Sequence, residues 1–179
     1  MKLIFRIILL AVILFVAISY FTKASSIEPI ESAIVCLAKN MYYEARNQGT
    51  AGLLAVAGVV FNRVNDSRFP DTICEVVKQG PIRASWKRDG TYYPIKNRCQ
   101  FSWYCDGKSD IPKEMKKYNR ILNIARSILT NNSPFREGFI DITDGATFYH
   151  ADYVTPGWAK TKQRTVEIEH HIFYKWKAK

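Results

Sequence analysis

The stretch from Leu37 to Arg63, LAKNMYYEARNQGTAGLLAVAGVVFNR, reads as two helices meeting at a polar elbow. Before and within it, Ile34, Val35, Leu37, Ala38 and Met41 recur at helical spacing, which predicts one buried face. The pattern stops at Glu44-Ala45-Arg46-Asn47-Gln48-Gly49, where Asn and Gly are helix-ending residues. A second apolar run, Leu53 to Val64, contains Gly52, Ala55, Ala57 and Gly58 in or beside it. Side chains that small let another backbone approach closely, so this run is expected to be the central helix of a compact domain. Glu44 is left at the C-terminal end of the first helix. The partial negative charge of a helix C-terminus disfavours a carboxylate there, and burial beside Met41, Tyr42 and Tyr43 acts in the same direction. A carboxyl kept protonated near neutral pH is what a general acid requires. The plainer alternative is a surface ion pair with Arg46 or Arg63. Local physics alone leaves that alternative ahead, because structural carboxylates far outnumber catalytic ones.

A chain of 179 residues holds one domain with a real core, and its many aromatics (Trp 4, Tyr 10, Phe 10) fit a globular protein. The formal charge is +10, and it stays basic once Lys2, Arg6 and Lys23 are set aside. Such a surface suits any polyanion, whether nucleic acid, anionic lipid or the acidic polymers of a cell wall. Lys2 and Arg6 precede an apolar run from Ile7 to Ile18, the order of a secretory signal. Ala17-Ile18-Ser19 and Thr22-Lys23-Ala24 offer small residues for cleavage. Left uncleaved, residues 3–21 would just span a bilayer and associate the chain with the inner membrane. Residues 1–24 are therefore expected to be a signal peptide or signal anchor. Residues 25–179 are expected to be exported to the periplasm or cell envelope. Export, and the lack of a recognition motif, disfavour a nucleic-acid partner. Four cysteines, Cys36, Cys74, Cys99 and Cys105, fit an oxidising compartment and predict two disulfides, with all three pairings open.

Further along, Asp71 to Gln79 reads as a short third helix stopped by Gly80, and residues 81–110 have no sustained period. That segment ends in Cys99-Gln100-Phe101-Ser102-Trp103-Tyr104-Cys105-Asp106-Gly107, an aromatic wall held between cysteines. A fourth helix is expected from Asp110, as N-cap, with Pro112 in its first turn and an apolar stripe from Tyr118 to Leu129, ending at residues 131–134. The remainder is strand-like: Thr147 to His150, then one alternating strand from Val166 to Tyr174. That strand would place His170 and His171 on opposite faces as structural or surface groups. No metal-ligand spacing stands out, and no cofactor is expected. The fold class is α+β, helices first and a small sheet last.

With these residues in place, the chain resembles the cell-wall hydrolase family typified by spore-cortex-lytic enzymes (SleB-like). The resemblance rests on Asn40-Met41-Tyr42-Tyr43-Glu44-Ala45-Arg46, on Gly52-x-x-Ala55-Val56-Ala57 with Val60-x-Asn62-Arg63-Val64, and on Phe69-Pro70. It continues through Cys99-Gln100-Phe101-Ser102-Trp103 with Cys105-Asp106-Gly107, and through Gly145-Ala146-Thr147-Phe148-Tyr149-His150-Ala151 with Pro156-x-Trp158. The ordered set is specific although each piece is short. Asn47-Gln48 departs from the more usual Gly-Glu, Tyr43 stands where His is common, and residues 81–98 have no counterpart.

The resemblance implies a lysozyme-like, mainly helical domain with a small C-terminal antiparallel sheet, which cleaves peptidoglycan glycan strands at the MurNAc–GlcNAc bond. It makes Glu44 the catalytic acid of a lytic transglycosylase or muramidase. Ordinary glycosidases use two carboxyls, and the second candidates, Asp106, Asp110, Asp141, Asp144 and Asp152, have no distinctive setting. Sugar faces stack on aromatics, and their hydroxyls and acetamides need polar partners. Gln100, Phe101, Ser102, Trp103, Tyr149 and His150 are the expected substrate-binding residues, with Phe101 and Trp103 equally suited to the core and His150 an orienting hydrogen bonder. Two rivals remain: a papain-like wall peptidase using Cys99 or Cys105 with His150 or His170, which needs a free thiol, and a non-catalytic wall-binding module.

Overall fold

The computed structural model describes residues 28–130 and 140–178. The expected leader, membrane association through residues 3–21 and the helix end at residues 131–134 lie outside the described residues. Among the described residues, no helix is long and apolar enough to cross a membrane.

Four helices of the described residues, α1 (Ile30–Ala45), α2 (Thr50–Val64), α3 (Ile73–Lys78) and α4 (Met115–Thr130), form the body. A hairpin of β1 (Ile82–Ala84) and β2 (Tyr92–Pro94) precedes α4. An antiparallel sheet of β3 (Phe148–Ala151), β4 (Gln163–Ile168) and β5 (His171–Lys175), in the order β3-β5-β4, closes the chain. This is the expected α+β architecture.

α2 is the centre. Leu53, Val56 and Val60 share one buried core with Ile34, Leu37 and Met41 of α1 and Val76 and Val77 of α3, and α1 carries that core on to Ile121 and Ala125 of α4. Its other side, Ala55 and Val59, packs on Ala146 and on Phe173 of β5. Fully burying one Val, Leu or Ile contributes about 1.5–3 kcal/mol, so a helix buried on two sides anchors both halves of the domain. The small residues make this possible. A Cβ at Gly58 would lie 3.0 Å from Asp141 Oδ1, on the loop that leads into β3. That loop is clamped by Asn62, whose Nδ2 donates to Asp141 Oδ2 (3.0 Å) and to Ala146 O (3.0 Å). Asp141 also accepts from Thr143 N and Gly145 N.

The start of α2 is capped from the sheet. Glu169, in the β4–β5 turn, accepts from Gly49 N (2.6 Å) and Gly52 N (3.0 Å), satisfying helix N–H groups with a negative charge at the favourable end. α3 begins with Thr72 as N-cap, its hydroxyl oxygen accepting from Glu75 N. The disulfides are Cys36–Cys74, which ties α1 to α3, and Cys99–Cys105, which closes the aromatic loop.

Three expectations are corrected. The residues from Val166 to Tyr174 are not one strand but the hairpin β4–β5, turned at Glu169 and His170, with Glu169 at φ +50°. Alternation continues on both sides of so tight a turn, which hides it in the sequence. α4 starts at Met115, not at Asp110. Ile111 precedes Pro112 and is pushed away from helical geometry, while Glu114 N donates to Tyr42 Oη (3.0 Å). Residues 81–110, which showed no period, contain the β1–β2 hairpin and a 3₁₀ turn at Ser102–Cys105.

Replacing Glu169 with Ala removes the cap of the central helix. Unfolding in urea should show a loss of about 1 kcal/mol, the usual cost of a lost N-terminal cap, with the urea dependence (m-value) unchanged.

Candidate active site

The C-terminal end of α1, the aromatic loop 100–103, residues 106–114 and strand β3 surround an open cleft of about 910 Å³. Glu44 reaches its wall from the last turn of α1. It is half-buried, and among the described residues it makes no ion pair. The surface-pair alternative therefore fails: Arg46 pairs with Glu114 (3.1 Å), and Arg63 turns into the interior.

Among the described residues Glu44 meets one hydrogen-bond donor, Tyr149 Oη, at 2.9 Å from its Oε2. Tyr149 belongs to β3, and its ring is packed against His171 (centroids 4.8 Å) and Phe173 (5.6 Å). Burial pushes the Glu44 carboxyl above its usual pKa of 4.5, opposed by the Tyr149 hydrogen bond and by the positive charge of Arg63. The Tyr149 phenol is driven well above its ordinary value by burial and by the adjacent carboxylate, so it remains a donor.

Arg63 is 4% exposed. Its Nε donates to Thr147 O (2.8 Å), and its guanidinium lies 5.3 Å from the Phe69 ring centroid and 5.0 Å from that of Phe101. Its Nη1 is buried without a protein partner. Burial lowers its pKa below the ordinary arginine value, yet guanidinium retains its charge at neutral pH. The result is a fixed cation lining the cleft beside the acid.

All the residues expected at the site line the cleft: Glu44, Gln100, Phe101, Ser102, Trp103, Tyr149 and His150. Gln100 and Ser102 are both exposed there. Phe101 and Trp103 are 2% and 9% exposed and form its floor, with Trp103 stacked on Tyr43 (4.7 Å) and donating from Nε1 to Asn40 Oδ1 (3.0 Å). His150 follows Tyr149 on β3 and so turns to the other face of the sheet. Its Nδ1 donates to Ala151 O (2.8 Å), and Nε2 lies 3.0 Å from Tyr174 Oη, so both ring nitrogens are engaged.

Three participants were not among the expected site residues. Arg63 was a candidate surface partner of Glu44, and its burial follows from the rings of Phe69 and Phe101, which the fold brings to it. His171 is buried and accepts at Nδ1 from Gln48 Nε2 (3.1 Å); a strand hidden in a hairpin concealed it. Burial lowers its pKa from 6.5. Tyr43 provides the rim at the position where His is common in the resembled family.

The other acidic candidates are accounted for individually. Asp144 pairs with Lys175 (2.8 Å) and Asp152 with His170 (3.1 Å), both on the surface. Asp141 serves the loop under Gly58; burial raises its pKa, but its hydrogen bonds from Thr143, Asn62 and Gly145 win and hold it below the usual range. Asp110 is pushed up by burial but does not line the cleft. Asp106 lines it, accepting from Lys108 N (2.7 Å) in its own turn. Glu114 also lines it, tied to Arg46 and Lys117. The two disulfides take up all four cysteines, so the Cys/His peptidase reading is excluded.

A family model described as Cell Wall Hydrolase matches residues 47–174, a span that begins after Glu44. The chain is 26% identical over 152 residues to a spore cortex-lytic enzyme of Oceanobacillus iheyensis, covering 81% of this chain and 42% of that protein. It is 26% identical over 144 residues to a spore cortex-lytic enzyme of Halalkalibacterium halodurans, covering 80% of this chain and 34% of that one. The chain thus spans less than half the length of these curated relatives. Among solved structures it resembles the catalytic domain of the germination-specific lytic transglycosylase SleB of Bacillus anthracis (TM-score 0.54, 24% identity, 84% of this chain and 98% of that one). It also resembles the catalytic domain of the Bacillus cereus SleB protein (TM-score 0.50, 26% identity, 80% and 89%). The fold is lysozyme-like.

Tyr149→Phe removes a bond that favours the ionised carboxylate. The Glu44 titration, followed by ¹³C NMR of its carboxyl, should move to higher pH in that variant. Glu44 holds its proton more tightly folded than unfolded. It therefore contributes stability below 4.5 that is lost as pH rises through the raised native value. Glu44→Gln should gain stability relative to the parent across that same window, measured by melting temperature against pH.

Proposed function

The chain belongs to the cell wall hydrolase family, and from that membership we propose that it cleaves the glycan strands of peptidoglycan with Glu44 as proton donor. The observation that carries this reading is a single half-buried carboxyl, held above its usual pKa and oriented by Tyr149, on the wall of an open cleft. Other carboxyls lining that cleft are engaged in turns and ion pairs. A mechanism that needs one carboxyl fits this inventory better than one that needs two.

In that mechanism Glu44 gives its proton to the glycosidic oxygen between MurNAc and GlcNAc as the C1–O bond breaks. The N-acetyl group of the substrate stabilises the oxocarbenium-like C1. The 6-hydroxyl of the same sugar then attacks C1, and Glu44 takes back the hydroxyl proton, closing a 1,6-anhydro ring without water. General acid–base transfer of this kind contributes about 10²–10⁴-fold. Arg63 favours the carboxylate after the first transfer, and Tyr149 keeps one of its oxygens fixed so that the other faces the cleft. Gln100 and Ser102 offer polar atoms to sugar hydroxyls and acetamides, and the Trp103 and Tyr43 rings back them. His150 acts by holding the sheet edge to Tyr174.

The same reading makes residues 25–179 the catalytic domain, exported to the cell envelope by the apolar segment within residues 1–24. The support for export is the charge and hydropathy order of that segment together with two disulfides.

Glu44→Gln should abolish release of muropeptides from purified walls while wall binding persists. Digestion by that variant would show the acid misassigned, whereas wall binding without digestion by the unaltered chain would leave a binding module as the reading. Activity of the unaltered chain should fall as pH rises through the Glu44 pKa, because the protonated form is lost. Mass spectrometry of the products decides the chemistry: an anhydromuramic end, lighter by one water, supports the single-glutamate transglycosylase, and a reducing end replaces it with muramidase action.

A further inference from the structure

The β1–β2 hairpin takes no part in the site described above, and both of its faces are open to solvent. Its pairing, Ile82 with Pro94, Arg83 with Tyr93 and Ala84 with Tyr92, sorts the side chains. Ile82, Ala84, Tyr92 and Pro94 share one face, while Arg83 and Tyr93 share the other. Trp86 stands in the connecting loop at 87% exposure, with Lys87 Nζ 5.8 Å from its ring centroid. Water is a poor environment for so many rings on one short ribbon, and such patches mark contact surfaces.

Charge says what kind of contact. Residues 80–98 carry Arg83, Lys87, Arg88, Lys96 and Arg98 against Asp89 alone. None of these cations is in an ion pair among the described residues.

The ribbon is also firmly rooted. A two-stranded hairpin is marginal alone, but Ile95 N donates to Pro81 O (2.9 Å) and Gln100 N to Gln79 O (2.8 Å). Gly80 allows the close approach, since a Cβ there would lie 2.9 Å from Cys99 Cα. Cys99 is bonded to Cys105, and the loop between them contributes Gln100, Phe101, Ser102 and Trp103 to the cleft. The arm and the cleft wall are thus one continuous, cross-linked piece of chain.

We propose that the β1–β2 hairpin is a second contact for the glycan strand outside the cleft, with Trp86 and Tyr93 stacking on sugar faces and Arg83 and Lys87 meeting the carboxylates of the wall polymer. The proposal rests on the peptidoglycan reading above and extends it. An acidic polysaccharide satisfies both features together: flat pyranose faces for the rings and negative charge for solvated cations. An anionic bilayer surface would also take Trp86 and the cations, but the rooting of the ribbon on the Cys99–Cys105 loop, which lines the cleft, favours the polymer that the cleft would hold.

The test measures cosedimentation with purified insoluble walls, using the full chain carrying Glu44→Gln so that binding is not followed by digestion. Two variants are compared with it: Trp86→Ser with Tyr93→Ser, and Arg83→Ser with Lys87→Ser. Each should weaken wall binding roughly tenfold, and the second should also flatten its salt dependence. Melting temperature reports folding; if the aromatic variant melts early, the cation variant decides, since it alters solvent-exposed groups only. Unchanged wall binding in well-folded variants overturns the proposal. So does hairpin-dependent binding found on phosphatidylglycerol vesicles and not on walls. Release of muropeptides by the chain with Glu44 intact is scored separately. Digestion without any hairpin effect on binding leaves the catalytic reading standing and removes the hairpin contact. Hairpin-dependent wall binding without digestion does the opposite.

Discussion

The constraint on which the domain depends is that α2 is buried along two sides. One side meets α1 and α3 in the main core, and the other meets Ala146 and the sheet through Phe173. A helix enclosed in this way cannot carry large residues all round, which is why Ala and Gly alternate with Val and Leu along it. Its polar ends must be satisfied from outside, and they are. Glu169 caps the start, and Asn62 and Arg63 near its end hold the loop and strand that lead to Tyr149. The helix fixes where the sheet sits, and the sheet fixes where Tyr149 can reach.

The Glu44–Tyr149 bond is a consequence of that placement. Its partners come from the last turn of the first helix and the first strand of the last sheet, far apart in sequence. Neither local geometry alone would orient the carboxyl. Glu44 is at a helix end, where side chains have freedom, and it gains a single orientation because a tyrosine locked between His171 and Phe173 is presented to it. The His171 ring is in turn fixed by Gln48 on the elbow. The elbow, the sheet and the acid thus constrain one another.

Helical periodicity made α1, α2 and most of α4 legible, because 16- and 15-residue helices repeat their apolar stripe several times. The lone carboxyl at the elbow was legible for the same reason: it stands where the stripe stops. Short elements were not. The three-residue strands of the arm contain no full period, and the β4–β5 turn preserves alternation across a single left-handed residue. Long-range partners were also invisible: the sequence left Arg63 as a candidate surface cation, whereas its setting is made by Phe69, Phe101 and the Thr147 carbonyl. The resemblance to wall hydrolases located Tyr149 and Gln100 without saying that Tyr149 would touch the acid.

The Glu44 carboxyl is surrounded by opposing influences. A one-unit pKa shift corresponds to about 1.4 kcal/mol, and a hydrogen bond to a charged group is worth about 1.5–3 kcal/mol. Burial of Glu44 alone would favour a carboxyl that gives up its proton with difficulty and regains it too readily. Tyr149 and Arg63 oppose that burial, each through the ionised form. A group asked to donate a proton in one step and accept one in the next works best when neither state is strongly preferred near the working pH. The buried arginine is expensive to keep, needing two rings and a backbone carbonyl to hold it. Its position makes sense if the carboxylate, and not only the acid, is a state the site must stabilise.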